Sequence, residues 1–171
     1  GDVFWVPTVG AVSNLQWGAG EALVYQEVSP DGKTREIKAT RVGALPRTLW
    51  RDRDQRWWSP TGRDARLATS PDGTQLAFVS DRTGWIHVYV MPVDATAESQ
   101  ARQLTSGEFG TGLPAWSPDG TRIAYHHSAA GNQMERFISV VEVASGTSVA
   151  AVTTRGVNLE PAFSPDGMRL V

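Results

Sequence analysis

The sequence predicts an all-β protein, a partial β-propeller with about three complete four-stranded antiparallel blades and flanking strands. The first observation is a repeat: the tetrapeptide Ser-Pro-Asp-Gly begins at residues 70, 117 and 164, and so returns every 47 residues. The second is that each period holds four short segments with strand-like alternation and no sustained helical period. A period of roughly 40–50 residues made of four strands is typical of propeller blades.

The repeated tetrapeptide is explained by the chemistry of a hairpin corner. Proline presets φ for the first corner of a turn, aspartate accepts hydrogen bonds from nearby amides, and glycine tolerates positive φ. We therefore interpret the aspartate and glycine of each copy as structural turn residues, not as ligands or acids. These residues are Asp72, Gly73, Asp119, Gly120, Asp166 and Gly167. A further copy at residues 29–32 lies between the predicted second and third strands, so it marks a hairpin and not a new repeat.

The strand that follows each corner has two different faces. In "TQLAFVS", Leu76 and Phe78 share one face, whereas Ala77 and Val79 share the other. The strand after the next corner, near residues 122–129, repeats this choice of bulky side chains on one face and a small alanine on the other. The pattern predicts sheets that pack closely against a neighbour on both sides.

The whole chain is interpreted as a single incomplete propeller domain, residues 1–171. We predict blades at about residues 14–58, 66–105 and 114–153, a partial blade at residues 160–171, and a leading strand near residues 3–6. The first blade contains a degenerate corner within "QWGAGEALVY", which starts at Gln16. Because the chain starts without methionine and stops inside a predicted strand, we expect it to be a segment of a longer polypeptide.

Composition excludes several classes of function. The 16 basic and 18 acidic residues give a net charge of -2 without a long run of one sign, which argues against a nucleic-acid partner. The apolar stretches are strand-sized, so we predict no membrane span and a soluble chain. The absence of cysteine excludes disulfides and thiolate chemistry. We expect no cofactor, and we favour a periplasmic or secreted location over a cytoplasmic one.

Three histidines are the candidate metal-binding or channel residues. His126 and His127 are adjacent in a strand, so their side chains point to opposite faces and we predict no metal site there. His87 shares a strand face with Trp85 and Tyr89. It either packs between blades or lines a polar channel, and we favour packing.

Residues 47–64 form the least regular stretch of the sequence. Trp57 and Trp58 lie in it among many charges. They are candidates for binding a ligand or partner, but the flanking charges favour an edge-strand or inter-domain contact.

The strings that surround the corners resemble known propeller repeats. "PAWSPDGTRIAY", followed by a strand and an "LT" element, resembles the TolB-type, or WD40-like, repeat. "SPDGTQLAFVSDRTGWIHVYVMP", preceded by "LQWGAGEALVYQEVSPDGKTREI" and "RWW", resembles more particularly the N-terminal propeller of prolyl-oligopeptidase-family serine peptidases, on the dipeptidyl peptidase IV side. The segment "DRTGWIHVY" carries most of this narrower match.

The resemblance implies a role beside an enzyme. In that family the propeller is followed by an α/β-hydrolase domain with a Ser, Asp, His triad, caps its active site and admits only short peptides. This chain has no Gly-x-Ser-x-Gly nucleophile elbow and no adjacent glutamates of the kind that hold a substrate's amino terminus. The resemblance therefore implies a non-catalytic segment, without catalytic residues of its own. This segment would gate access to a hydrolase domain of the same parent polypeptide, and the parent's substrates would be short peptides.

Two alternatives stay open. The chain is either part of a TolB-like scaffold for protein–protein interaction with no enzymatic role, or one of several copies that close a ring by self-association through exposed blade faces. The sequence that follows Val171 discriminates between the peptidase and the scaffold, since only the peptidase requires a hydrolase domain.

Overall fold

The structure, a computed structural model, describes residues 3–53, 66–129 and 131–171 and is built of β-strands. The first sheet contains β1 (Ala11–Gly18), β2 (Ala22–Val28), β3 (Thr34–Thr40) and β4 (Arg47–Arg53). The second contains β5 (Ala68–Thr69), β6 (Gln75–Ser80), β7 (His87–Pro92) and β8 (Arg102–Gln103). The third contains β9 (Thr111–Trp116), β10 (Arg122–Ala129), β11 (Asn132–Glu142) and β12 (Ser148–Val152). Short 3₁₀ turns lie at Ala19–Glu21 and Glu98–Gln100.

Each sheet is an antiparallel meander whose strands follow one another in chain order, and we call the three sheets blades 1, 2 and 3. Within the described ranges, every named strand pairs with strands of its own sheet. The predicted all-β class with four-stranded antiparallel units is confirmed, and the three sheets formed by the described residues do not close into a ring.

The expected flanking strands differ from the observed structure. Residues 3–6 do not form a strand in this structure, so the predicted leading strand is not observed. A strand requires a neighbour for its backbone groups, and none of the described strands pairs with this segment. At the other end, Ala162 and Val171 exchange two backbone hydrogen bonds of 2.9 and 3.0 Å. The chain therefore ends in a narrow hairpin around an antiparallel bridge from Phe163 to Leu170.

The core consists of two buried layers, one on each face of blade 2. Leu76 and Phe78 belong to the cluster shared with blade 1, whereas Ala77 and Val79 belong to the cluster shared with blade 3. Burying one such large aliphatic or aromatic side chain stabilises a fold by about 1.5–3 kcal/mol. The alternation of side chains along this strand thus gives blade 2 two buried faces, one packed on blade 1 and one on blade 3.

An aromatic group closes the layer between blades 1 and 2. The ring of Trp50, on the outer strand of blade 1, lies 5.1 Å from Phe78 and 5.3 Å from Tyr89, both on blade 2. Phe78 and Tyr89 stack at 5.6 Å. Tilted and stacked rings at these separations contribute about 0.5–1.5 kcal/mol per pair beyond the area they bury.

Across the described part of the chain, no helix is long and apolar enough to cross a bilayer.

Candidate functional site

The three repeated corners share one hydrogen-bonding pattern. In the Ser117 corner, the serine hydroxyl donates to Asp119 Oδ1 at 2.5 Å, and the same oxygen accepts the amide of Thr121 at 3.0 Å. The corners at Ser70 and Ser164 repeat both bonds. The glycine that closes each corner has a φ of 70 or 71°, which L-residues with a side chain adopt only with strain. The recurring letters of the sequence therefore correspond to one recurring local structure.

The corner aspartates are committed to their turns. The hydroxyl of Ser117 and the amide of Thr121 hold the pKa of Asp119 at about 2. The pKa values of Asp72 and Asp166 are lowered by the same kind of serine and amide hydrogen bonds. All three carboxylates are therefore ionised near neutral pH and have no proton to donate. This chemistry favours the structural role expected for Asp72, Asp119 and Asp166.

Successive corners also contact one another. The carbonyl of Gly73 accepts a 2.8 Å hydrogen bond from the amide of Ala19, in the degenerate corner of blade 1. A Cβ on Gly120 would lie 3.7 Å from the ring of Pro71, and a Cβ on Gly167 would lie 3.5 Å from the ring of Pro118. The corners are thus stacked from blade to blade along one end of the arc.

Two arginines join the outer strands to the following blades. Arg47, opposite Ala39 in blade 1, donates to the carbonyls of Val93 at 2.8 Å and Asp94 at 3.1 Å, and also to that of Ala95. A guanidinium with several donors in a fixed plane suits a cluster of carbonyls. We call this contact, and its counterpart in the next blade, the arginine clamp.

The counterpart is Arg102, opposite Val90 in blade 2, which donates to the carbonyls of Val143 and Ala144 in blade 3. Sequence reasoning missed the clamp. Its signal was an arginine at the start of both fourth strands, in "RTLW" and "RQLT". The same register position in blade 3 is Val149, opposite Val140, and it is 63% exposed.

A buried ion pair lies in the interface between blades 1 and 2. The guanidinium of Arg35 has no exposed area and donates to the carboxylate of Asp52 and to the carbonyl of Val79. Asp52 also accepts from Trp50 Nε1 at 2.9 Å and from Ser80 Oγ at 2.7 Å. Several hydrogen bonds to one buried carboxylate offset the cost of removing both charges from water. The pair thus links β3 and β4 of blade 1 to the backbone of β6 in blade 2.

The loop that resembles the family most closely covers this ion pair. Arg82 lies 3.6 Å from the ring of Trp50 and donates to Glu98 at 2.9 Å. Its Nε is 3.9 Å from Asp52. The loop at residues 80–86 therefore contributes to inter-blade packing, through a cation–π contact and an ion pair.

His87 and Tyr89 lie at blade contacts. His87 is 3% exposed, its Nδ1 lies 3.2 Å from Thr105 Oγ1, and its ring meets Phe109 edge-on at 5.7 Å. Burial lowers the pKa of His87, and a hydrogen bond with the backbone of Gly107 only partly opposes this. Tyr89 is buried and donates its hydroxyl to Gln103 at 2.9 Å, whereas Trp85 is half-buried. These contacts favour packing over a channel lining for His87 and Tyr89.

The other two histidines also have structural neighbours. His127 Nε2 lies 3.0 Å from Ser139 Oγ, and its ring lies 5.1 Å from Phe109. His126 is buried on the opposite face of β10. The described residues include no group of three or more histidine, cysteine, aspartate or glutamate side chains that could hold a metal ion. Trp57 and Trp58 lie outside the described residues.

The face of blade 1 that turns away from blade 2 carries a polar pocket of about 410 Å³. Glu27 accepts the amides of Val9 and Gly10 at 2.6 and 2.7 Å and pairs with Lys38 at 2.7 Å. Burial alone would raise the pKa of Glu27, but these hydrogen bonds hold it below its usual value. Glu36 pairs with the same lysine. Both acids are therefore ionised. They suit a charged contact surface better than acid–base chemistry.

These features define a class of protein: a segment of a β-propeller in which polar side chains join neighbouring blades. The family described as the dipeptidyl peptidase IV N-terminal region matches residues 5–171, and this chain belongs to that family.

Several individual proteins are similar to this chain. An uncharacterized peptidase, YuxL, of Bacillus subtilis is 29% identical over 149 residues, 67% of this chain and 22% of YuxL. A TolB homolog of Chlorobium luteolum is 34% identical over 137 residues, 57% of this chain and 31% of that protein. The fold is similar to that of Porphyromonas gingivalis dipeptidyl peptidase 4, with a TM-score of 0.68 and 16% identity over 88% of this chain and 20% of that one. The chain thus spans less than a third of each of these proteins.

Proposed function

We propose that this chain is a non-catalytic part of a dipeptidyl-peptidase-like serine peptidase and that it gates the access of peptides to a hydrolase domain of the same polypeptide. The observation that carries the proposal is the family match over residues 5–171, together with the peptidase name of YuxL. The geometry supports a steric role, because the buried side chains of Arg35, Asp52 and Ser80 join blades 1 and 2.

Gating requires blades that hold together while substrates are excluded. The arginine clamp and the Arg35–Asp52 pair supply contacts of this kind at the blade 1–blade 2 interface. Charge-assisted hydrogen bonds are stronger than neutral ones, so they resist separation of the sheets. In such a peptidase, only peptides small enough to pass the intact ring would reach the nucleophile.

The proposal is tested in the whole polypeptide that carries this sequence. Its coding sequence beyond Val171 is expected to contain a nucleophile elbow, and the protein is expected to cleave dipeptide amides faster than long peptides. The double variant Arg47→Met, Arg102→Met should raise cleavage of long peptides relative to dipeptide amides, with Arg155→Met as a matched exposed control. An unchanged ratio in the double variant would contradict gating.

A TolB-like scaffold is the second candidate, and it is favoured by the 34% identity to the Chlorobium luteolum protein. Under this reading the polypeptide ends after its propeller and binds other proteins. Absence of a hydrolase domain in the full coding sequence, with retention of a protein partner in pull-down experiments, would select the scaffold.

We also propose that the chain associates with itself when it is isolated. Trp17 on blade 1 and Val149 on blade 3 are exposed apolar side chains on its two outer blades. Exposed apolar surface favours association. Analytical ultracentrifugation should show concentration-dependent species, and a single monomeric species at all concentrations would contradict this.

A further inference from the structure

The segment before β1 has the pattern of a strand without a partner. Val3 and Trp5 are exposed, Trp5 to 92%, while Phe4 and Val6 are half-buried. Such alternation is typical of a β-strand, in which Trp5 and Val6 point to opposite faces, so a strand that turns Trp5 toward blade 1 would turn Phe4 and Val6 away from it. The segment leads directly into Val9 and Gly10, whose amides are held by Glu27.

The repeat assigns a place to this segment. In blade 1, Trp17 pairs across the sheet with Leu23, and in blade 3 Trp116 pairs with Ile123, so the two tryptophans are equivalent. Aligning them without a gap places residues 3–6 on residues 102–105, the fourth strand of blade 2 and the residues that follow it. In this alignment Trp5 takes the position of Leu104.

Leu104 shows what a side chain does at this position. It is 6% exposed and belongs to the core cluster that includes Ile123 and Tyr125 of the following blade. The counterparts of those two residues on blade 1 are Leu23 and Tyr25. A side chain at the position of Trp5 would therefore pack on Leu23 and Tyr25 once its strand is in place.

Blade 1 carries a cavity at this place. The cavity has a volume of about 250 Å³. Its lining consists of Val6, Thr8, Val12, Leu15, Leu23 and Tyr25. The hydroxyl of Tyr25 is buried and has no hydrogen-bond partner among the described residues, whereas the hydroxyl of its counterpart Tyr125 donates to Ser148 at 3.1 Å. A mainly apolar cavity whose polar side chains are those of Thr8 and Tyr25 suits an indole, which is apolar over most of its surface and carries a single N–H.

We propose that residues 3–6 form the fourth strand of a further blade and that the side chain of Trp5 then fills the cavity on blade 1. The partner is a three-stranded antiparallel sheet of the same repeat type, whose third strand has a free edge. Strand addition satisfies the backbone groups of residues 3–6, as β8 does when Gln103 pairs with Tyr89 of β7.

The chain itself supplies a test. Residues 66–101, the first three strands of blade 2, are duplicated and joined directly to Val3, so that Val3 follows residue 101 as Arg102 does in blade 2. Hydrogen exchange is expected to show protected amides at residues 3–6, and acrylamide should quench Trp5 fluorescence less than in the unmodified chain. The contribution of Trp5 is isolated by subtracting the Trp5→Phe variant of each protein.

A matched control inserts one glycine at the junction. A shift of one residue turns the side chains of a strand to the opposite face, so protection of Trp5 should be lost. Equal protection with and without the glycine, or exchange at residues 3–6 as fast as in the unmodified chain, would overturn the proposal.

A second measurement does not depend on the folding of the fusion. N-acetyl-tryptophanamide, used as a probe of the cavity in the unmodified chain, should shift the methyl NMR signals of Leu15 and Leu23 and leave that of the exposed Met134 in place. Leu15→Asp should remove the shifts. Titration to the solubility limit without shifts at Leu15 and Leu23 would contradict the assignment of the cavity to Trp5.

Discussion

Ser80 Oγ of blade 2 donates a 2.7 Å hydrogen bond to Asp52 Oδ1 of blade 1, so a hydroxyl on one blade helps to satisfy the carboxylate that pairs with Arg35 on the other. The two blades therefore share one buried polar network. Removal of any side chain of this network is therefore expected to weaken the contact between the two blades.

Removal of the carboxylate should be severe. Asp52→Ala is expected to destabilise the chain by about 3–5 kcal/mol, because the buried charge of Arg35 loses the carboxylate that it contacts. Ser80→Ala should cost less, about 1–3 kcal/mol, since Asp52 keeps its other donors. Urea unfolding followed by circular dichroism measures both. The double variant Arg35→Met, Asp52→Leu should recover much of the loss, and a double variant as unstable as Asp52→Ala would contradict charge burial as the cause.

The corners allow a comparison of two glycines with the same φ. Gly120→Ala should cost about 1–2 kcal/mol for the left-handed conformation alone. Gly73→Ala should cost more, because its Cβ would lie 2.6 Å from the backbone nitrogen of Ala19. Thermal unfolding of the two variants measures the difference. Equal melting temperatures would show that the corner contact between blades 1 and 2 is not tight.

The arginine clamp should contribute measurably to stability in spite of its exposure. Arg102→Met is expected to lower the free energy of unfolding by about 0.5–1.5 kcal/mol, because it removes hydrogen bonds to the carbonyls of Val143 and Ala144. Arg155→Met serves as the control, since its side chain is 88% exposed and should change stability by less than about 0.5 kcal/mol. Identical losses in both variants would argue against the clamp.

Stability should fall as the solution is acidified from pH 7.5 to 5.5. Burial lowers the pKa of His87 in the folded chain, so below about pH 6.5 the unfolded chain binds the proton more readily. The stabilising effect of neutral His87 is present above this pH and is lost as the pH falls toward the folded-state pKa. His87→Asn should flatten the dependence of the urea midpoint on pH. The same slope in the variant and the unmodified chain would assign the effect to other groups.

The chain alone is expected not to hydrolyse chromogenic dipeptide substrates, since its sequence contains no Gly-x-Ser-x-Gly elbow. A release assay with dipeptide p-nitroanilides checks this. Hydrolysis that a serine-directed inhibitor abolishes would show a nucleophilic centre that the sequence pattern does not reveal.

The parts of the fold that were predictable depend on local chemistry. The corner at Ser117 is set by four consecutive residues, and the faces of β6 follow from the alternation of Leu76 and Ala77. The leading strand near residues 3–6 was predicted from the same kind of pattern and is absent, because pairing also requires a neighbouring strand.

The inter-blade contacts were not predictable because they depend on distant register. Arg47 donates to the carbonyl of Val93, a residue 46 positions away, and the arginine at the start of each fourth strand does not indicate which carbonyls it meets. Arg35 alternates with Thr34 and Glu36 in a strand, as a solvent-facing arginine also would. Its place on the same face as Ile37 was the one available sign of burial.

The stacking of Gly120 on Pro71, and of Gly167 on Pro118, has a consequence for how the molecule is made. During synthesis on the ribosome each unit emerges after the unit on which its corner rests, so the earlier sheet can serve as the template for the later one. Damage to a single corner should then arrest assembly in the direction of translation and leave the upstream units intact.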